Sequence, residues 1–180
     1  MTTLTTSQSA ILRKLLDNPG STVTEIDGFT SDQFELTAYT LCNKLRYAIP
    51  NTSGNQRTGY YRKVESITYR GWKALVGKDN ASDLNLDIVD VDILLKLLDK
   101  PGILDIPKGM PEIEFWFRST YLEKRGLAIG YGGRDEIFQI GHGTETTTKL
   151  RTSLLRITAF GWESIEPIAE KMKLAKDFEQ

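Results

Sequence analysis

A group of basic residues in the first half of the chain has the composition of a phosphate-binding surface. Between residues 44 and 70, six lysines and arginines accompany a single acid, Glu65; they are Lys44, Arg46, Arg57, Arg62, Lys63 and Arg70. Residues 1–80 carry ten basic and seven acidic residues, whereas residues 81–180 carry 13 and 17. Clustered cations neutralise phosphates, although a solvated basic face has the same composition. We therefore predict a nucleic-acid surface in the first half only, with a solvated face as the alternative.

Residues for the commonest catalytic and metal sites are scarce. The chain has one histidine, His142, and one cysteine, Cys42, too few for a zinc site of the usual Cys/His type or for an internal disulfide. Six glycines within residues 126–143 lack the sequence patterns of nucleotide-binding loops. Carboxylate pairs such as Asp90 and Asp92 leave catalysis by carboxylates alone open, although acids beside a linker are usually solvated. We predict no enzyme activity and no cofactor, and we interpret Cys42 as a buried helix residue.

Composition also indicates where the protein works. Hydrophobic residues make up 39 % and charged residues 26 % of the chain, as in ordinary globular proteins. No apolar run approaches the roughly 20 residues that span a bilayer, and the first residues lack the basic start and apolar core of a secretory signal. A single cysteine fits a reducing compartment. We expect a cytoplasmic protein without a membrane segment.

Two phrases occur twice in the sequence and indicate two related units. Ile11–Gly20 reads ILRKLLDNPG and Ile93–Gly102 reads ILLKLLDKPG; each predicts a short helix that ends at a Pro-Gly pair. Ile67–Trp72 (ITYRGW) is matched by Ile157–Trp162 (ITAFGW), each a strand that leads into a helix. We predict a first unit at residues 1–78, a polar linker at 79–86 and a second unit at 87–180.

The first unit contains a long helix with an unusual polar face. Thr30 and Gln33 have the spacing of a capping box, and we predict a helix from there to about Ala48. Its side opposite the apolar stripe carries uncharged and basic residues: Tyr39, Thr40, Asn43, Lys44, Arg46 and Tyr47. A turn-rich basic loop follows, and residues 60–69 alternate as a strand does.

The second unit differs in its central helix and in its loop. The helix after Pro111 carries three glutamates and four aromatics, more than one buried stripe needs. We predict that Phe115, Trp116 and Leu122 form a partner or dimer surface, with a core position as the alternative. The glycine-rich segment predicts a hairpin of residues 127–131 and 136–140, which together with residues 144–151 forms an enlarged wing. An amphipathic tail helix, with Pro167 in its first turn, ends the chain.

This order of elements resembles the winged helix-turn-helix superfamily. The phrase Ile67-Thr-Tyr-Arg-Gly-Trp72 is similar to the hydrophobic-Thr-x-x-Gly junction after the wing of many bacterial winged-helix regulators. The resemblance implies an α+β fold of two tandem winged-helix domains, each a small helical bundle with a β-hairpin wing. In such families the third helix enters the major groove of DNA and the wing touches phosphates or the minor groove.

The resemblance assigns roles to residues of the first unit. Asn43 suits adenine and Arg46 suits guanine, because their side chains can form paired hydrogen bonds with those bases. Thr40 and Tyr47 would assist, and the phosphate contacts would come from Lys44, Arg57, Arg62 and Lys63. We expect a transcriptional regulator or accessory factor that binds double-stranded DNA and assembles through its second unit. The alternative is a protein-interaction adaptor or inhibitor, because tandem winged helices also serve in complexes without DNA.

Overall fold

The chain folds as α+β. A computed structural model describes residues 3–51, 62–80, 83–140 and 144–178, and within these ranges it contains six α-helices and three two-stranded sheets. The chain divides into two compact units: unit 1 is Met1–Asp83 with Phe138–Thr146, and unit 2 is Leu84–Ile137 with Thr147–Gln180. No helix in the described ranges is long and apolar enough to cross a membrane.

Two capped helices form the helical layer of unit 1. Helix α1 (Thr6–Asp17) ends before the Pro-Gly pair, as predicted, and its four apolar residues are buried: Ile11, Leu12, Leu15 and Leu16. Helix α2 (Ser31–Tyr39) begins with the predicted capping box, in which Thr30 and Gln33 bond each other's backbone N–H. The α2 helix then widens into a π-helical segment, Thr40–Leu45. Because a π-turn holds an extra residue, this segment shifts the side chains that follow relative to a regular helix.

A small antiparallel sheet and a third helix complete unit 1. Strand β1 (Ala48–Pro50) pairs with β2 (Val64–Ile67), and Val23 forms a bridge to Val64 on the other side of β2. Helix α3 (Tyr69–Leu75) follows directly. The predicted helix to Ala48 is therefore too long, since Ala48 begins a strand.

Lys78, which the sequence places next to the linker, is 2 % exposed, and its ammonium lies 5.3 Å from the Trp72 ring centre.

Unit 2 repeats this order with a longer hairpin. Its elements are α4 (Ile88–Asp99), α5 (Glu112–Lys124), β3 (Ala128–Tyr131), β4 (Arg134–Ile140), β5 (Thr144–Leu150), β6 (Ser153–Ile157) and α6 (Ala159–Phe178). The adjoining ends of β4 and β5, which fall within Phe138–Thr146, group with unit 1. Strand β3 pairs with β6 and β4 pairs with β5, so the predicted pairing of residues 127–131 with 136–140 is wrong. Both strand pairs belong to one long hairpin that bends at Gly132. At that glycine φ is +67°, and a Cβ would lie 2.5 Å from the Thr152 hydroxyl.

Helix α6 is longer than the sequence predicts. It begins at Ala159, and Pro167 lies inside it rather than in its first turn. Pro167 is exposed, so the hydrogen bond that a proline cannot form leaves the freed helical carbonyl within reach of water. On the opposite side, Ile165 is fully buried and anchors the first half of the helix.

The same junction joins strand to helix in both units. Thr68 caps α3 and its hydroxyl also donates to the Arg46 carbonyl, 2.9 Å away; the Thr158 hydroxyl donates to the Gly126 carbonyl at 2.6 Å. The backbone N–H of each threonine donates to the next carbonyl along, that of Tyr47 or Leu127, both at 3.0 Å. A Cβ built on Gly71 or Gly161 would lie 2.0 Å from that same carbonyl oxygen. The repeated Thr-x-x-Gly phrase therefore encodes a backbone packing that only glycine permits.

Replacing either glycine by alanine should destabilise its own unit. Because the obstacle is a backbone carbonyl rather than a movable side chain, we expect Gly71→Ala and Gly161→Ala each to lower the free energy of unfolding by about 1–3 kcal/mol or more. Urea denaturation, followed by hydrogen exchange to locate the loss, measures this. If a single variant lowered amide protection equally in both units, the claim that each junction stabilises its own unit would be contradicted.

Candidate nucleic-acid interface

The polar residues predicted to read DNA lie where α2 widens and ends. Asn43 and Lys44 are exposed on the π-helical segment. Thr40 is half-buried, and its hydroxyl donates to the Leu36 carbonyl at 3.0 Å, so its proton is used within the helix. The widened turn thus presents two neighbouring side chains, one amide and one ammonium, at the surface of unit 1.

Arg46 adopts a backbone conformation that normally favours glycine. Its φ is +58°, in the left-handed region, and its N–H donates to the Leu41 carbonyl to end the helical segment. An L-residue with a side chain costs roughly 1–2 kcal/mol in this region. At the matching place of unit 2, Gly126 has φ +72°. Unit 1 therefore keeps an arginine at a position where glycine would be more stable.

Tyr47 cannot contact a base, and this prediction is wrong. The residue is 1 % exposed because it follows the end of the helical segment and turns into the core of unit 1. The guanidinium of Arg70 lies 5.6 Å from the centre of the Tyr47 ring. Arg70 itself is exposed. Arg70 belongs to the basic cluster of the sequence. Nothing in the sequence indicates that it lies beside Tyr47, because the fold brings the two residues together.

Two further predicted residues lie where the loop between β1 and β2 meets β2, a place that we call the hairpin base. Arg62 and Lys63 are exposed, and the Lys63 carbonyl accepts a hydrogen bond from the Asn51 N–H at 3.0 Å. Arg62 Nε forms an ion pair with Glu35 Oε1 of α2 at 2.9 Å. Arg57 lies outside the described residues. Unit 1 thus brings cations from the end of α2 and from the hairpin base onto one compact body.

The predicted partner surface of unit 2 is buried in its own core. Phe115 and Leu122 are 0 % exposed and Trp116 is 7 % exposed, with the guanidinium of Arg134 5.1 Å from a Trp116 ring centre. The run from Phe115 to Leu122 is buried throughout, which is typical of a central helix that is covered on all sides. The core alternative therefore applies, and these three residues offer no free surface.

Arg118 on α5 satisfies a buried carboxylate. Its guanidinium contacts Asp90 at 2.7 Å, Asp87 at 2.8 Å and Glu114 at 2.8 Å, and the Asp90 residue is 0 % exposed. Asp87 and Asp90 also form the capping box of α4, where the positive end of the helix dipole favours carboxylates. Tyr121 of α5 donates to the Leu84 carbonyl. These contacts tie α5 to the start of α4.

Cys42 is buried, as the sequence predicts. Burial in unit 1 raises the pKa of Cys42 to about 12, so the unreactive protonated thiol prevails at neutral pH. Among the described residues, no group of three or more His, Cys, Asp or Glu side chains is arranged to hold a metal ion.

Removing the cation of the Arg118 cluster should destabilise the protein strongly. Arg118→Ala leaves the Asp90 carboxylate buried without the cation of its ion pair, and we expect a loss of about 3–5 kcal/mol in the free energy of unfolding. The control is Lys96→Ala, which removes the exposed 2.7 Å pair of Lys96 with Asp92 on α4 and should cost less than about 1 kcal/mol. Urea denaturation compares the two; equal losses would contradict the structural role of Arg118.

Glycine at position 46 should stabilise the protein. Arg46→Gly relieves the left-handed backbone and keeps the carbonyl that accepts the Thr68 bond, so we expect a gain of about 0.5–1 kcal/mol. Arg46→Ala is the control, because alanine removes the guanidinium but keeps the backbone cost. Thermal unfolding should rank the glycine variant above both the alanine variant and the parent, and a glycine variant no more stable than the alanine variant would contradict the strain.

Comparison with other proteins provides no family for this chain. No protein-family model matches the sequence, and no characterised protein or solved structure shows significant similarity to it. The chain does offer an internal comparison, because its two units build the same junction and differ in the charged residues around it.

Proposed function

We propose that the chain is a DNA-binding protein made of two tandem winged-helix units, in which unit 1 contacts duplex DNA and unit 2 mediates assembly. The observation that carries this proposal is a difference between matching positions at the repeated junction. In unit 1 these positions hold Asn43, Lys44 and Arg46; in unit 2 they hold Glu123, Lys124 and Gly126. Lysine is common to both units, and unit 2 also has Arg125 where unit 1 has Leu45. The difference is therefore that unit 1 has a base-reading amide, Asn43, in place of an acid and an arginine, Arg46, in place of a glycine.

Matching hydrogen bonds justify this pairing of positions. The Thr40 hydroxyl donates to the Leu36 carbonyl, and the Thr120 hydroxyl donates to the Trp116 carbonyl, each four residues back and 80 residues apart. The strand register agrees as well, since Ala48 pairs with Ile67 and Ala128 pairs with Ile157. The two helix ends can therefore be compared residue by residue.

The order of elements in unit 1 supports the winged-helix interpretation. A helix, a bridged strand residue, a second helix, a two-stranded hairpin and a closing helix follow in sequence. Unit 1 departs from the usual pattern in one place: between Val23 and α2 the chain forms a turn, closed by the Phe29 N–H on the Ile26 carbonyl, rather than a full helix. Helix α2 with its π-helical segment takes the place of the recognition helix.

The side chains of this surface fit distinct roles in such a complex; Asn43, Lys44, Arg62 and Lys63 are exposed, and Arg46 is half-buried. Asn43 can bond the edge of adenine and Arg46 that of guanine, while Lys44, Arg62 and Lys63 hold phosphates. Arg70, exposed beside the end of α2, adds a further phosphate contact. Retention of Arg46 in a conformation that favours glycine is explained if its guanidinium contacts DNA.

A second candidate function, protein interaction through unit 2, is favoured by a separate observation. Nine of the ten large hydrophobic residues that are prominently exposed in the described ranges belong to unit 2; they include Ile103, Tyr131, Ile137 and Phe160. Exposed apolar residues that adjoin one another form surfaces that contact proteins. This observation suits an adaptor, and it equally suits the assembly role proposed for unit 2.

Fluorescence anisotropy with a labelled duplex pool across a salt series tests DNA binding. We expect affinity to fall steeply with salt, because each neutralised phosphate contributes about −0.9 to the logarithmic slope. Lys44→Ala and Lys63→Ala should each weaken binding to all sequences and flatten the slope by about one. The matched control, Lys124→Ala at the corresponding place of unit 2, should change neither. Asn43→Ala should weaken the preferred sequence selectively, by about 1–3 kcal/mol.

Three results would contradict the proposal. They are an absence of salt-dependent binding by the parent protein, an effect of Lys124→Ala as large as that of Lys44→Ala, and equal losses on preferred and random duplexes for Asn43→Ala. The first of these would favour the adaptor function.

A further inference from the structure

Arg62, at the hairpin base of unit 1, forms an ion pair with a carboxylate through its Nε atom. Arg62 lies two residues before β2 and Glu35 lies on α2; their ion pair joins Arg62 Nε to Glu35 Oε1 at 2.9 Å. The Arg62 side chain is 77 % exposed, whereas that of Glu35 is 17 % exposed. The arginine side chain is therefore mostly open to solvent, while the carboxylate with which it is paired is largely covered.

Unit 2 contains an analogous ion pair, in which the acid comes from a different position of the central helix. Arg151 lies two residues before β6, and its Nε pairs with Glu123 Oε2 of α5 at 2.7 Å. There Nη1 also donates to the Gly132 carbonyl at 3.0 Å, and the side chain is only 31 % exposed. The arginine of unit 2 is used within the unit, because it fastens the hairpin to the helix.

The difference in exposure changes what the two arginines can do. A planar guanidinium held at Nε still presents its Nη edge, which matches two oxygens of a phosphate. A long side chain that is already ordered loses less conformational freedom when it binds. Glu35 nevertheless also places a negative charge near the same phosphate. The two effects have opposite signs, so their balance can be measured.

We infer that Glu35 is a positioning residue for DNA binding, which orders Arg62 so that its Nη edge faces a phosphate. This inference rests on the proposed function of unit 1. We expect the gain from ordering Arg62 to exceed the repulsion between Glu35 and the phosphate. The Glu35 carboxylate is largely covered, and its charge is neutralised by Arg62. Nothing in the sequence pairs the two residues, since 26 positions separate them.

The test compares two acid-to-alanine variants of the full-length chain by anisotropy on the duplex pool. Glu35→Ala should weaken binding about threefold to tenfold, the cost of ordering one long side chain. Glu65→Ala is the matched control, because it removes the exposed acid on β2 within the basic cluster and should tighten binding by reducing repulsion. Glu35→Ala in an Arg62→Ala background should have no further weakening effect, because its action passes through the arginine. Thermal unfolding confirms that each variant is folded.

The outcomes separate the inference from the proposed function. Tighter binding by Glu35→Ala with a steeper salt slope would overturn the positioning role and leave DNA binding intact, because Glu35 would then act only as a repelling charge. Weakening of equal size in the presence and absence of Arg62 would overturn it too. An absence of salt-dependent binding by the parent chain would overturn both the positioning role and the DNA-binding function.

Discussion

A backbone carbonyl at the end of each central helix is the point on which each unit is built. The carbonyl of Tyr47, or of Leu127 in unit 2, accepts the N–H of a capping threonine and packs against a glycine that has no Cβ. This single contact fixes the end of the central helix, the start of the hairpin and the start of the following helix. The residue just before it takes a left-handed conformation, because the chain leaves the helix and enters a strand within two residues in unit 1 and three in unit 2.

The same constraint explains how one scaffold carries two surfaces. Near the fixed junction of unit 1, Asn43, Lys44 and Arg70 are exposed, and the hairpin arginine, Arg62, stays exposed. Around that of unit 2, Glu123 occupies the corresponding helix position and binds the hairpin arginine, Arg151. Backbone geometry is thus shared, whereas charge and side-chain exposure differ.

Local patterns in the sequence predict the elements well and their ends less well. Capping at Thr30 and the helix stop at Asp17 depend on neighbouring residues and are confirmed. The entry of Tyr47 into the core accompanies the packing of its carbonyl against Gly71, which is distant in sequence. Strand β3 likewise pairs with β6 across the intervening β4–β5 pair. The glycine-rich segment alone predicts that β3 pairs with the strand that follows it.

Burial of the α5 aromatics shows the limit of helical periodicity. A stripe count treats a helix as having one covered side, but every residue from Phe115 to Leu122 is buried, so α5 is covered on all sides. Of the site residues, the exposed cations and Asn43 could be predicted from type and spacing. The ion pair of Arg62 with Glu35 could not, because two elements far apart in sequence supply its partners.

The most direct test of the central claim is amide chemical-shift mapping by NMR as a duplex is added to the labelled protein at low salt. A DNA-contacting unit 1 predicts perturbed amides in residues 40–46, at Arg62 and Lys63 and near Arg70, with those of α5 in unit 2 unchanged. Perturbations confined to unit 2, or none with excess duplex, would contradict the claim that unit 1 binds DNA through the end of α2 and the hairpin base.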